Sequence, residues 1–148
     1  MIYIGIDAGQ SGAIAWARQG EFPSVEKMPD TERDIFSTLE GIVWFTEHGK
    51  NFAIIEKVGP MPKQGLSSTW KFSGNYHGLR MALIALKIPF EAIAPSVWQR
   101  AMGCLTKGDK NVTKRKAQEL WPSLKATHAT ADALLLMEYC RRTKGGDH

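Results

Sequence analysis

Asp7, Glu56 and Asp132 are the residues of this chain whose types and settings point to chemistry. Asp7 ends the apolar run Ile4-Gly5-Ile6 and leads into a glycine turn (Ala8-Gly9, then Gly12). Glu56 ends a second apolar run, Phe52-Ala53-Ile54-Ile55, and Asp132 stands at the head of an apolar helix, Ala133-Leu134-Leu135-Leu136. Adjacent parallel strands present their carboxyl ends at one edge of a sheet, so Asp7 and Glu56 can converge there with an acid carried by a packed helix. Oxygen-only ligands suit Mg²⁺ or Mn²⁺, and a carboxylate bridging two such ions is the usual core of two-metal phosphodiester hydrolysis. Any one of these acids alone reads as a solvated strand end or a turn. Three of them terminating apolar elements in the order strand, strand, helix are hard to explain that way.

Periodicity and turn chemistry show which strands and helices carry these acids. Ile2 to Asp7, Ala13 to Ala17 and Val25 to Met28 form short β-rich runs separated by Gly9-Gln10-Ser11-Gly12 and Gln19-Gly20, a meander. Ile35, Leu39, Ile42 and Val43 recur at helical spacing after Asp30 or Thr31 as cap, and Gly49 closes that helix. Phe52 to Glu56 is a buried strand, and the Gly- and Pro-rich segment from Val58 to Ser68 is a loop. A long helix is predicted over Thr69 to Lys87, with Phe72, Tyr76, Leu79, Leu83 and Leu86 on one face. Its Gly74 and Gly78, four apart, suit close approach of another backbone, most simply inside the monomer. Pro89 to Ala94 is the last strand, and Pro95 starts a short helix bearing Trp98 and Arg100. A loop follows from Gly103 to Asn111, then a basic helix from Thr113 to Leu120. Thr127 or Thr130 caps the final helix, which carries Asp132. The order is βββαβαβααα, an α/β fold with a mixed central sheet of about five strands.

The chain's 148 residues suffice for one well-buried core and not for two lobes. We therefore expect a single domain over 1–143 and a flexible tail over 144–148. Hydrophobic residues at 43% and charged residues at 23% are an ordinary globular balance, which excludes a disordered chain. The charge is uneven: residues 95–148 hold ten Lys or Arg against five Asp or Glu, whereas 1–94 hold nine against ten. That asymmetry points to a polyanionic partner, the plainer alternative being a solvated basic helix surface. Cys104 and Cys140 lack metal-ligand or redox spacing, nothing before the first strand suits a signal peptide, and no apolar run is long enough to cross a bilayer. These features predict reduced thiols in a cytoplasmic protein with no membrane partner.

The run Tyr3-Ile4-Gly5-Ile6-Asp7-Ala8-Gly9, the strand ending in Ile55-Glu56, the glycine-bearing helix, the turn Ala94-Pro95-Ser96-Val97-Trp98 and the helix start Ala131-Asp132-Ala133 resemble, in their joint order, RuvC-type Holliday-junction resolvases, particularly the short phage-borne kind. The likeness covers nearly the whole chain. It implies an RNase H-like three-layer fold, a homodimer, and Mg²⁺-dependent nicking of two symmetrically placed strands at a four-way DNA junction. Carried over residue by residue, Asp7 matches the first-strand metal ligand, Glu56 the second-strand acid and Asp132 the last acid. The family normally adds one more ligand, Asp or His, a turn earlier on the final helix. Here Ala129 stands three residues before Asp132 and His128 four before, both on the same helical face. Three readings stay open: His128 is a ligand or proton carrier, Ala129 replaces a missing Asp and disables the site, or His128 is a solvent-exposed neighbour of the helix cap.

In the resolvase reading Asp7 bridges two Mg²⁺ or Mn²⁺ ions, with Glu56 and Asp132 one on each side. Empty of metal, the three acids repel one another and are expected to be partly protonated. Lys107, Lys110, Lys114, Arg115 and Lys116 can pair with phosphates, while Met61, Lys63 and Gln64 offer an apolar wedge with positive charge for opening a junction centre. Trp70 and Phe72 either stack on bases or belong to the core or a dimer interface, and the helix from Thr69 to Lys87 is the interface candidate. Actin-like ATPases share the opening strand, Asp and glycine turn, but need two lobes to close on ATP, for which this chain has no room. The remaining competitors are a non-catalytic binder of branched DNA and a broader nuclease acting on flaps or forks.

Overall fold

Alternating side chains give the first strand two faces. In the computed structural model, which describes residues 1–47, 49–59 and 63–146, β1 (Ile2–Asp7) is the middle strand of a five-stranded sheet. β2 (Ala13–Arg18) pairs antiparallel with β1, and β3 (Ser24–Lys27) antiparallel with β2. On the other side β4 (Asn51–Glu56) runs parallel to β1, and β5 (Phe90–Ile93) parallel to β4, so the order is β3-β2-β1-β4-β5. The helices are α1 (Glu32–Val43), α2 (Leu66–Ala85), α3 (Pro95–Ala101), α4 (Asn111–Leu120) and α5 (His128–Lys144). This is the expected three-layer α/β arrangement with a mixed sheet, in the expected order of elements.

Two apolar layers flank the sheet. Ile2, Ile4 and Ile6 of β1, with Ala53 and Ile55 of β4, pack on Ile35 and Leu39 of α1 and on Leu79, Ala82 and Leu83 of α2. The opposite face, carrying Tyr3, Ala13, Ala15, Ala17 and Ile54, packs on α5 from Ala131 to Cys140, with Trp98 of α3 and Ala117 of α4 closing the same cluster. Gly5 is what lets α5 lie so close: a Cβ there would run into the Met137 nitrogen, the Ala133 carbonyl oxygen and the Leu136 backbone. Cys104 and Cys140 are both buried free thiols, and burial pushes the Cys140 thiol up to about 12.

Several boundaries differ from the sequence reading. α2 begins at Leu66, not at Thr69, because Gly65 turns the chain in an extended conformation and its carbonyl accepts from the Thr69 amide at 2.9 Å. The glycines and prolines before it had masked that first turn. α4 begins at Asn111, whose amide donates to the Asp109 carboxylate at 2.9 Å. α5 extends through Lys144, whose ammonium reaches Glu91 at 2.6 Å. Gly74 and Gly78 do not serve a close contact with any described residue of the monomer, since a Cβ at either would meet none of them within 4 Å. Among the described residues no helix is long and apolar enough to cross a membrane.

Candidate active site

Strand register brings the first two acids together. Ile6 lies opposite Ile55 in the parallel β1–β4 pair, so Asp7 and Glu56, each one residue further, end neighbouring strands at the same edge. They also share a face. Tyr3 and Gly5 of β1 and Ile54 of β4 turn toward α5, and side chains two residues apart repeat that direction, so Asp7 and Glu56 turn toward α5 as well.

The third acid arrives with α5, which runs antiparallel to β1. Its C-terminal end lies over the start of β1, where Gly145 approaches the Tyr3 hydroxyl and Arg141 donates to the carbonyls of Arg18 and Glu21 at 3.2 and 2.8 Å. Ala133 and Met137 cross at Gly5, leaving the N-terminal end of the helix near Asp7. Thr127 starts α5 by accepting from the Thr130 amide at 3.2 Å, while the Thr130 hydroxyl accepts from the Thr127 amide at 3.0 Å. Asp132 is the fifth residue of the helix so defined.

The turn after Asp7 is built tightly. Gly12 donates to the Gly9 carbonyl at 2.9 Å, and a Cβ at Gly12 would collide with the Asp7 carbonyl. The Asn75 side chain of α2 donates to the Ala8 carbonyl, anchoring the same turn from the other layer. Among the described residues the Asp7 carboxylate accepts a long 3.5 Å contact from the Gly9 amide.

The acids feel one another. Burial, then the negative charge of Asp132, pushes Asp7 up to about 6, against the opposing pull of the Gly9 amide and Lys110. Glu56, only 8% exposed, is pushed up to about 8 by burial and by Asp7, with the Trp98 indole opposing and Asp132 adding to the rise. Asp132 is also raised by burial, which the Thr113 hydroxyl, Lys110 and His128 oppose. That hydroxyl is shared, lying 3.3 Å from the Lys110 carbonyl as well. One Asp132 oxygen, Oδ1, is buried and has no hydrogen-bond partner among the described residues.

Three carboxylates with raised proton affinity, one of them holding an unpartnered buried oxygen, are a donor set that suits a hard divalent cation. Among the described residues, however, no three His, Cys, Asp or Glu side chains stand close enough to enclose an ion.

Protonation couples the site to stability. In the metal-free protein Asp7 rises from 3.8 to about 6 and Glu56 from 4.5 to about 8, so the folded state binds these protons more tightly than the unfolded chain. Their contribution is fully present below about pH 4 and is lost as pH climbs through 6 and 8. In EDTA the melting temperature is expected to fall by at least several degrees as pH rises across that window. Thermal melts of Glu56→Gln should show a flatter profile; an equally steep one would mean that other groups carry the slope.

The predicted binding residues divide. Lys110, at the N-cap of α4, is the cation whose charge acts on both Asp7 and Asp132. Lys107 is exposed on the turn before it with a left-handed φ of 48°, Arg115 is exposed on α4, and Lys114 and Lys116 are half-buried there. Lys63 is exposed with φ 68° and Gln64 is half-buried, while Met61 lies outside the described residues. His128 is the first residue of α5, exposed, one turn before Asp132 and close enough for its charge to act on that acid; Ala129 follows it, half-buried. Trp70 is not a core residue: it is 83% exposed.

Two groups at the site escaped the sequence reading in their roles. The Trp98 indole donates to Glu56 Oε2 at 2.7 Å in the interior, and Thr113 stands beside Asp132. The one available signal for Trp98 was its position a helical turn past the strand that neighbours Glu56.

In structure the chain is similar to Thermus thermophilus RuvC, with a TM-score of 0.64 and 16% sequence identity over 98% of this chain and 97% of that one. It is similar also to T. thermophilus RuvC in complex with a Holliday junction substrate, with a TM-score of 0.63 and 15% identity over 98% and 96% of the two chains. No protein-family model matches the sequence, and no curated protein matches it. The fold is RuvC-like and thus RNase H-like.

Proposed function

We propose that this chain is a structure-selective DNA endonuclease that resolves four-way junctions by divalent-metal-dependent phosphodiester hydrolysis. One observation carries the reading: in a RuvC-like fold, acids from β1, β4 and α5 meet on one face at the carboxyl edge of the sheet, within range of one another's charge. Asp7, Glu56 and Asp132 would hold Mg²⁺ or Mn²⁺, two per site, with Asp7 between Glu56 and Asp132. Such ions lower the pKa of an attacking water and stabilise the departing 3′ oxygen.

The chain's own groups do the rest. Lys110, whose charge acts on Asp7 and Asp132, would pair with a non-bridging phosphate oxygen. His128, at the start of α5, would carry a proton to or from the reacting oxygens. Lys107, Lys114, Arg115 and Lys116, with Lys63 and Gln64 of the loop before α2, would follow the DNA backbone, and Met61 would act as the wedge. Because phosphate pairing releases counter-ions, binding should weaken steeply with salt, by about 10³-fold between 50 and 200 mM if six phosphates are engaged.

Two cuts on like strands call for two sites about a two-fold axis, which supports a homodimer. The outer face of α2 favours it: Leu66, Trp70, Met81 and Ile84 are 92, 83, 63 and 56% exposed, and Gly74 and Gly78 lie open between them. An apolar stripe on a helix whose other face already lies in the core is suited to a second copy. Sedimentation at micromolar concentration should show a dimer; a monomer under conditions where junctions are bound would sink this pairing.

A non-catalytic binder of branched DNA is the second reading, favoured by Ala129 and by the absence, among the described residues, of three ligands already gathered for an ion. Labelled junctions incubated with Mg²⁺ or EDTA separate the two. Paired nicks that need Mg²⁺ support the resolvase, a gel shift without nicks supports the binder, and equal cutting of flaps and forks supports the broader nuclease. The bacterial or phage-infected cytoplasm is the compartment this activity would serve.

A further inference from the structure

A buried indole must find an acceptor for its N–H, and the acceptor it finds here is an acid of the candidate site. Trp98 is fully buried, and its Nε1 donates to Glu56 Oε2 at 2.7 Å. The fold arranges this from two adjacent strands. Glu56 ends β4 opposite Ile93 of β5, the Lys57 amide donates to the Ile93 carbonyl at 2.8 Å, and Ala94 then caps α3 with Pro95 in its first turn. One turn later Trp98 points back at the neighbouring strand's terminal acid.

We propose that Trp98 is a positioning residue for divalent-cation binding: its N–H engages Oε2 of Glu56, fixes the carboxylate's rotation and leaves Oε1 for the ion. This rests on the reading of Asp7, Glu56 and Asp132 as a cation site. A glutamate has three side-chain torsions, and an unrestrained one at a strand end must be ordered when the ion arrives, which weakens binding. The indole suits the task because it is a donor only, carries no charge that would compete with the cation, and is rigid. Its surroundings, Met102 and Cys104 among them, are apolar and buried, so water offers Oε2 no substitute for the lost donor. A tryptophan serving only to fill the core would satisfy its N–H on any carbonyl and leave cation affinity unaffected.

The test compares Mn²⁺ binding, followed by electron paramagnetic resonance, in the full-length protein and in Trp98→Phe, which keeps most of the ring volume and removes the donor. Affinity is expected to fall about 10- to 100-fold, the usual cost of losing a partner that orients a metal ligand. A folded Trp98→Phe that binds Mn²⁺ as tightly as the parent overturns the proposal. A parent protein that takes up no Mn²⁺ overturns the cation-site reading itself, and this proposal with it. Should the variant fail to fold, the unsubstituted protein decides by NMR during a Mg²⁺ titration. The Trp98 indole N–H resonance should move with the same midpoint as the Asp7 amide; an indole signal that stays still while the Asp7 amide moves overturns the proposal.

Discussion

Asp7→Asn is expected to lower junction cleavage at least about a thousandfold, a barrier increase of about 4 kcal/mol, while junction binding stays intact or grows tighter. The substitution preserves shape and removes one negative charge from the most central of three acids. Asp7 acts on Glu56 from the neighbouring strand and is itself acted on by Asp132 of α5, so its charge is coupled to both of the other acids. An amide would be a far poorer ligand than an anionic oxygen for a hard dication in the proposed site, hence the expected loss of rate. Binding moves the other way because an anionic cluster repels the phosphodiester, and Lys110 then faces less competition for it. Single-turnover cleavage and gel-shift titration of the same labelled junction would measure both. Nicking retained by Asp7→Asn would refute the assignment of the site, whatever happened to affinity.

Gly5→Ala should destabilise the fold strongly. Its added Cβ would have to occupy space held by backbone atoms of Ala133, Leu136 and Met137, which cannot rotate away as a flexible side chain would. α5 must therefore lift off β1, and the leucines and alanines of its buried face lose contact with the sheet. Overpacking of this kind costs about 3 kcal/mol, or roughly 10 °C in melting temperature. The damage reaches the site as well, since Asp132 rides on the same helix. Calorimetry of Gly5→Ala checks the stability; a melting temperature within about 2 °C of the parent would mean that α5 is not held by this contact.

Much of this site was legible because it obeys short-range rules. Period-two patterning marked β1 and β4 as strands, and in a parallel pair the terminal residues Asp7 and Glu56 fall at one edge once Ile6 and Ile55 are in register. The leucine-rich run after Asp132 marked α5, and Thr127 or Thr130 marked its start, of which the structure uses Thr127. That choice puts His128 on the helix, one turn from Asp132, as the four-residue spacing allowed. Errors came where composition misleads. The glycine-rich approach to α2 concealed the turn formed by Leu66, Ser67 and Ser68, and Gly74 and Gly78 were assigned to packing inside a monomer that leaves both open.

The three candidate acids, the order of elements and the excess of cations in the last third could be read directly from the chain, because each is written in neighbouring residues and their period. Which cation's charge reaches the acids, why α5 can approach β1 at Gly5, and that Trp98 grips Glu56 emerged only from packing. These depend on residues 22 to more than 100 positions apart meeting through crossovers and packed layers. No local pattern encodes such a meeting, since the approach of two backbones is set by the volume of everything packed between and around them.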